Sequence, residues 1–420
     1  MVTQTNTLWA QSEKVRPKLE AWLPSFKSRI FSKIKDKNVE KVSERDYRIP
    51  FKTSTGGKEG TYDPNMGAFG RGSSATGGVL ISTFFPFRIN FELSELETVA
   101  TEDKEKAVAS KFKMAMADAM PTFAKALDKW WHRGDGTAVV GQALAHATVN
   151  GATQSQYTLD ANFGVATVRV GMPVRIMNTA MNAYKTIGGA ATETTVLQVD
   201  WDARTVTLSG VVDAAAATDK LVMAGSTGNS PQGMKGLPYY NNYATSGSTL
   251  GLDRALQNEI ITPSVNANGG ISNTHGIQLL GKKLKLRDGD FPTGLFGVSS
   301  VEVYQQIVEQ VMTLQRIDVQ GETAKMKDTA PSVRTEYQWC GVQHYVDVYQ
   351  DMTRVDWVDP GPWGWSSMAP MSFYEVGGQR FFPLYGTDGS PAAGLWFAMR
   401  VMRDCWCADP RSGGVIYGIS

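Results

Sequence analysis

A chain of 420 residues, 42% hydrophobic and 20% charged, can bury one large core or several smaller ones, which excludes wholesale disorder. Its 42 Lys/Arg and 41 Asp/Glu leave a formal net charge of +1, so gripping nucleic acid is not its main business. Three cysteines without a spacing framework, a polar start and no apolar run of roughly 18 residues point to a soluble chain folded in a reducing cytoplasm.

Residues 1–46 read as a basic, partly helical arm, with eleven Lys/Arg against six Asp/Glu from Met1 to Pro50. Leu19, Trp22, Leu23 and Phe26 recur at helical spacing, and Pro24 interrupts them. So short an amphipathic segment cannot bury its own apolar stripe. The bland alternative is a frayed terminus.

Tyr47, Ile49 and Phe51 then alternate with Arg48, Pro50 and Lys52, the period of a strand. Eight glycines follow in the 23 residues from Gly56 to Gly78. Alternation resumes with Phe85, Phe87, Ile89, Phe91 and Leu93 opposite Pro86, Arg88, Asn90 and Glu92. The pattern predicts a projecting hairpin over 47–90 whose two arms are these strands.

Residues 102–131 carry the strongest helix signal. Phe112, Met116, Met120, Phe123, Leu127 and Trp130 form one apolar face, and Pro121 predicts a kink. Gly134-Asp135-Gly136-Thr137 ends the helix.

Residues 150–232 change to short β segments: Val165–Val170, Pro173–Met177, Thr194–Trp201, Thr205–Val211 and Lys220–Met223. Asp202-Ala203-Arg204 is a hairpin-length turn between the third and fourth. A small all-β module, inserted in a mixed chain, is the reading. Beyond 233 the chain is mixed α/β. A capping box, Ser299 with Glu302, starts a helix through Tyr304, Ile307, Val308, Val311 and Leu314. Thr274–Leu286 is a Lys-rich helix, and Gln343–Tyr349 and Leu395–Cys407 read as strands.

No catalytic constellation stands out. His132, His146, His275 and His344 lie far apart in sequence, each without a second ligand at metal spacing, so structural roles are expected. Cys405 and Cys407 share one face of a strand and read as core. Gly56-Gly57-Lys58 lacks the earlier glycine and the following Ser/Thr of a phosphate loop. Lys282, Lys283, Lys285 and Arg287 read as a solvated basic helix face.

Taken together, a basic arm, a glycine-tipped hairpin, a long helix, a mixed domain and an aromatic C-terminal strand resemble the Hong Kong 97-type fold of tailed-phage major capsid proteins. Phe91-Glu92-Leu93-Ser94 leads towards the helix ending Trp131-His132-Arg133-Gly134-Asp135-Gly136-Thr137, similar to the family's helix and Gly-Asp-Gly turn. Met234-Lys235-Gly236-Leu237-Pro238 followed by Thr249-Leu250-Gly251-Leu252-Asp253-Arg254 looks like the start of its axial domain. The ending Cys407-Ala408-Asp409-Pro410-Arg411-Ser412-Gly413-Gly414 looks like the turn before its closing peripheral strand.

The resemblance implies an α+β fold: an N-terminal arm over 1–46, an extended loop over 47–90 and a peripheral domain with a long spine helix over 91–149. An inserted small all-β domain over 150–232, an axial domain over 233–390 and a peripheral return strand over 391–420 follow. It also implies a structural subunit, not an enzyme, with no cofactor and no membrane. Hexamers and pentamers of this chain would form an icosahedral virion shell, assembled in the host bacterial cytoplasm around double-stranded DNA. A portal and a separate scaffolding or cement protein would be the partners, with the mature chain beginning near Met1. Neighbouring subunits would meet at Trp22, Phe51, Gly56, Gly57, Lys58, Phe85, Phe87 and Arg88. Lys27, Arg29, Lys33, Lys35 and Lys37 of the arm would face the DNA. The alternatives are an encapsulin-like nanocompartment shell and a β-rich hydrolase with paired carboxylates.

Overall fold

The computed structural model describes residues 33–34, 40–41, 46–54, 74, 76–94, 122–160, 164–224, 233–249, 251–256, 260–286, 294–317, 336–385 and 391–420. Along the chain run β1 (Glu40–Lys41), β2 (Asp46–Ser54), β3 (Thr76–Thr83), β4 (Pro86–Ser94) and a helix, α1, over 122–133. Next come β5 (Val139–Val149), β6 (Gln154–Leu159), β7 (Pro173–Met177), β8 (Thr194–Asp200), β9 (Thr205–Leu208) and β10 (Lys220–Met223). A short α2 (Leu237–Tyr240), β11 (Ser248–Thr249), β12 (Leu252–Asp253), β13 (Ser264–Gly269), α3 (Asn273–Leu286), β14 (Phe296–Ser299) and α4 (Val301–Ile317) follow. The chain closes with β15 (Glu336–Trp339), β16 (Val342–Val346), β17 (Arg354–Val358), β18 (Trp363–Phe373), β19 (Phe382–Tyr385), β20 (Pro391–Cys407) and β21 (Gly414–Ile419).

Contacts divide the chain into two compact units. One comprises Met1–Tyr47, Thr83–Asp128 and Trp365–Cys405; the other comprises Arg48–Ser82, Lys129–Gly364 and Trp406–Ser420.

The first unit is organised by β20. β4 pairs with it antiparallel, from Ser94 opposite Gly394 to Pro86 opposite Met402, while β18 and β19 also pair with it. The alternation along β4 is the one expected: Phe87, Ile89 and Phe91 are half-buried, while Pro86, Arg88, Asn90 and Glu92 are exposed. Phe91 stacks on Phe397 at 5.0 Å and Phe87 meets Phe123 edge-on at 5.4 Å, contacts worth about 1 kcal/mol each beyond their buried area. Tyr47 is fully buried and donates to Asp404 Oδ2 at 3.0 Å.

This revises the expected hairpin. β2 lies between β1 and β3, whose Gly77 and Gly78 made β3 read as loop, and β4 belongs to the ladder with β20. The expected kink at Pro121 lies outside the described residues; Phe123, Leu127 and Trp130 of α1 are buried as expected.

In the second unit, six strands close a barrel in the order β10-β5-β6-β9-β8-β7. Along β6, Ser155, Tyr157 and Leu159 are buried and alternate with half-buried residues, and closure leaves no free edge. β-Bulges at Leu144 and Leu197 turn two leucines outward. Tyr157 donates to Asp219 Oδ2 at 3.2 Å, and Lys185 Nζ lies 2.7 Å from Asp219 Oδ1, so the buried carboxylate is neutralised inside the barrel. Val139–Val149, placed by sequence before the inserted module, is a barrel strand. The expected strand Val165–Val170 is a run of turns instead. Its valines raised the β propensity, but Val168 N–H bonds Val165 O and Met172 N–H bonds Arg169 O between two positive-φ glycines, Gly164 and Gly171.

The barrel is entered and left through one neck. Gly136 N–H donates to Met234 O at 3.3 Å, Gly233 N–H to Gly136 O at 3.0 Å, and Met223 N–H to Ala138 O at 3.0 Å. The backbones approach so closely that a Cβ on Gly134 would overlap Met234 O and one on Gly233 would overlap Thr137 O.

The second unit also holds a six-stranded mixed sheet, β13-β21-β17-β14-β16-β15. β17 is buried at all five positions, as a central strand covered on both faces must be. Leu279 of α3 and Val303 and Ile307 of α4 share one core with Val342, Val355, Trp357 and Ile416. The final strand β21 therefore lies in this sheet with residues expected to be axial, not beside β20. Helix α4 starts one residue later than the capping box implied. Ser300 Oγ accepts from Val303 N–H at 3.3 Å, and the Ser299 hydroxyl bonds Tyr337.

Candidate assembly surface

On β3, Val79 is 54% exposed and Ile81 53% exposed; two residues apart on a strand, they share a face. On the β4–β20 ladder, Arg88 stands directly opposite Arg400. Arg400 also lies over the Tyr374 ring, its Cζ 5.6 Å from the centroid.

Several expected contact residues take other places. Phe85 is buried and Phe87 half-buried within this chain, in ring contact with each other at 6.3 Å. Phe87 also meets Phe123 of α1 edge-on, so part of the cover expected from a neighbouring subunit comes from this chain's own helix. Arg88 is exposed and Lys33 half-buried, while Phe51 lies on β2. Trp22, Lys27, Arg29, Lys35, Lys37, Gly56, Gly57 and Lys58 lie outside the described residues.

The end of α1 is a junction of buried cations, the sign favoured at a helix C-terminus. Lys129 donates to Thr167 O, and Arg133 donates to Tyr349 O at 2.6 Å and Gln350 O at 3.0 Å. Burial, then the Arg169 charge, pushes the Lys129 amine down to about 7. His132 Nδ1 lies 2.9 Å from Gln350 Oε1, and Gln350 Nε2 donates to Asp356 Oδ2 at 2.6 Å. Because the Asp356 carboxylate, held by Arg354, can only accept, the amide must turn its oxygen to His132, whose Nδ1 therefore carries hydrogen. His132 Nε2 faces Asp347 Oδ2 at 3.4 Å. Burial would raise the Asp347 carboxyl, but the His132 charge and hydrogen bond hold it below its ordinary value.

The basic face of α3 also needs correction. Lys283 is 2% exposed and donates to Ser412 O and, at 2.9 Å, to Gly413 O, clamping the turn before β21. Gly276, Leu279 and Lys283 follow each other at spacings of three and four and are all buried, a stripe that marks Lys283 as inward-facing. Arg254 behaves similarly, closing the β11–β12 hairpin through Thr249 Oγ1 at 2.8 Å.

Comparison with solved structures sets this architecture beside a known one. A chain of the cyanophage A-1(L) capsid asymmetric unit aligns with a TM-score of 0.53 over 94% of this chain and 93% of that chain, at 11% identity. The chain has the fold of a phage capsid subunit. The capsid of a native GTA particle aligns at TM-score 0.43 (8% identity; 93% and 90% covered), and Mycobacterium phage Ogopogo at 0.40 (11%; 92% and 91%). No protein-family model and no curated protein matches the sequence. Among the described residues, no helix is long and apolar enough to cross a membrane.

Proposed function

We propose that this chain is the major capsid protein of a tailed double-stranded-DNA bacteriophage. Its hexamers and pentamers would build the closed icosahedral shell around the genome. The observation that carries this reading is the full-length likeness to the cyanophage capsid chain, which leaves neither protein with a large unmatched part. The role is mechanical: extended ladders, a closed barrel and a junction of buried ion pairs hold surfaces in register. Portal, scaffolding or cement proteins and non-specific DNA contact belong to this reading.

Expression of the full chain, alone and with the phage's other structural proteins, followed by sedimentation and electron microscopy, tests it. Closed shells tens of nanometres across are expected. A compact monomer under every condition would overturn the reading.

A further inference from the structure

We propose that Arg88 and Arg400 form a phosphate-binding pair for duplex nucleic acid on the β4–β20 ladder, a site that rests on the capsid reading only for the identity of its polyanion. The register sets the two arginines directly opposite each other. Residues so placed share a face, with Cβ atoms about 4.5–5.5 Å apart, and like charges there destabilise a ladder unless an anion lies between them.

Among the described residues, no carboxylate takes that place. On the same face of β4 stand Pro86, Asn90 and Glu92, and Glu92 is opposite Trp396, about 13 Å along the strand from Arg88. Glu375, next to Tyr374, is bound by Arg380. Arg400 is held over Tyr374, and its Nε is closed to water without an acceptor. One guanidinium is thus oriented and partly desolvated, and the other is exposed and able to close on a ligand. Two planar forks rooted at one register position match a phosphate, whose several oxygens can accept from both, better than carboxylates spread along a protein surface. Asn90, on the same face, adds a donor of the kind used on nucleic-acid backbones.

The test compares the full-length chain with Arg88→Gln, Arg400→Gln and the double variant. Thermal unfolding is followed in sodium phosphate and in sodium chloride at matched ionic strength. Binding to a short fluorescent DNA duplex is followed by anisotropy from about 50 to 200 mM salt. Phosphate should raise Tm for the parent chain and not for the double variant. The double variant should bind DNA roughly tenfold more weakly, with a salt slope shallower by about one. In chloride, removing one of two facing charges should leave Tm unchanged or raise it. A marked fall in Tm for Arg88→Gln would reveal a carboxylate partner within the protein and overturn the proposal. So would unchanged DNA affinity and slope. Protection by phosphate without any change in DNA binding would assign the pair to a free anion. Lost self-association with intact DNA binding would assign it to an acidic surface on a second copy. Shell formation is scored separately, so its failure in the parent chain sinks the capsid reading and leaves the phosphate result standing.

Discussion

Trp357 donates its indole hydrogen to Nε2 of His344 at 3.1 Å inside the six-stranded sheet. The imidazole is therefore neutral with its hydrogen on Nδ1, and full burial pushes its pKa down to about 3. An unfolded histidine titrates near 6.5, so between about 6.5 and 3 the unfolded chain binds the extra proton. Stability is fully present above that window and is lost as pH falls through it, by an amount on the order of 5 kcal/mol. Replacing His344 by Gln, which can still accept from Trp357, should lower stability at neutral pH and flatten the acid limb. Chemical denaturation at several pH values checks this; an unchanged acid slope would refute it.

Lys129 has the opposite window. With its amine near 7 when folded and about 10.4 when unfolded, the unfolded chain binds more protons between those values. Stability should rise from pH 7 towards 10 and be flat below 7, where both states are charged. Lys129→Met should abolish that rise and add about 1–2 kcal/mol at pH 6, since an apolar side chain replaces a buried charge. A variant that keeps the alkaline rise would show that another group causes it.

Lys283 is expected to matter more than a surface lysine. Truncation to Ala strips two carbonyls, Ser412 O and Gly413 O, of a buried donor and should cost about 2–4 kcal/mol. Lys282→Ala and Lys285→Ala should each cost under about 0.5 kcal/mol. Comparing the three midpoints in urea decides it.

The neck offers a sharper test of modular structure. Gly233→Ala should destabilise by more than about 1 kcal/mol, because backbone must move to admit the Cβ. Replacing Ala138–Met223 by a short Gly/Ser bridge should leave the six-stranded sheet folded, with its aromatic circular dichroism and a cooperative transition. Starting the bridge at residue 150, after β5, should instead yield an aggregating product, because it leaves β5 without its partners β6 and β10.

What could be read from sequence follows from how local each signal is. Pro173–Met177 and Lys220–Met223 match β7 and β10 residue for residue, because turn-forming residues flank short β-branched runs there. The run Val165–Val170 has the same composition and fails, since Gly164 and Gly171 close it into turns. β3 hid behind Gly77 and Gly78, whose pairing with β2 no local pattern announces. The meeting of Arg88 with Arg400 depends on register between distant segments, which periodicity cannot supply. Lys283 was legible: its place one turn after Leu279 on the inward stripe outweighs its charge.

The neck has a consequence for how such a protein can change over time. Because the chain arrives at and departs from the barrel through mutually hydrogen-bonded strands, everything beyond Gly136 and Gly233 hangs from two adjacent peptide groups. Any guest whose own termini lie side by side could be exchanged for the barrel in one recombination event, with no change demanded of the host fold. The same position would let an engineer hang a foreign enzyme or antigen from the host fold.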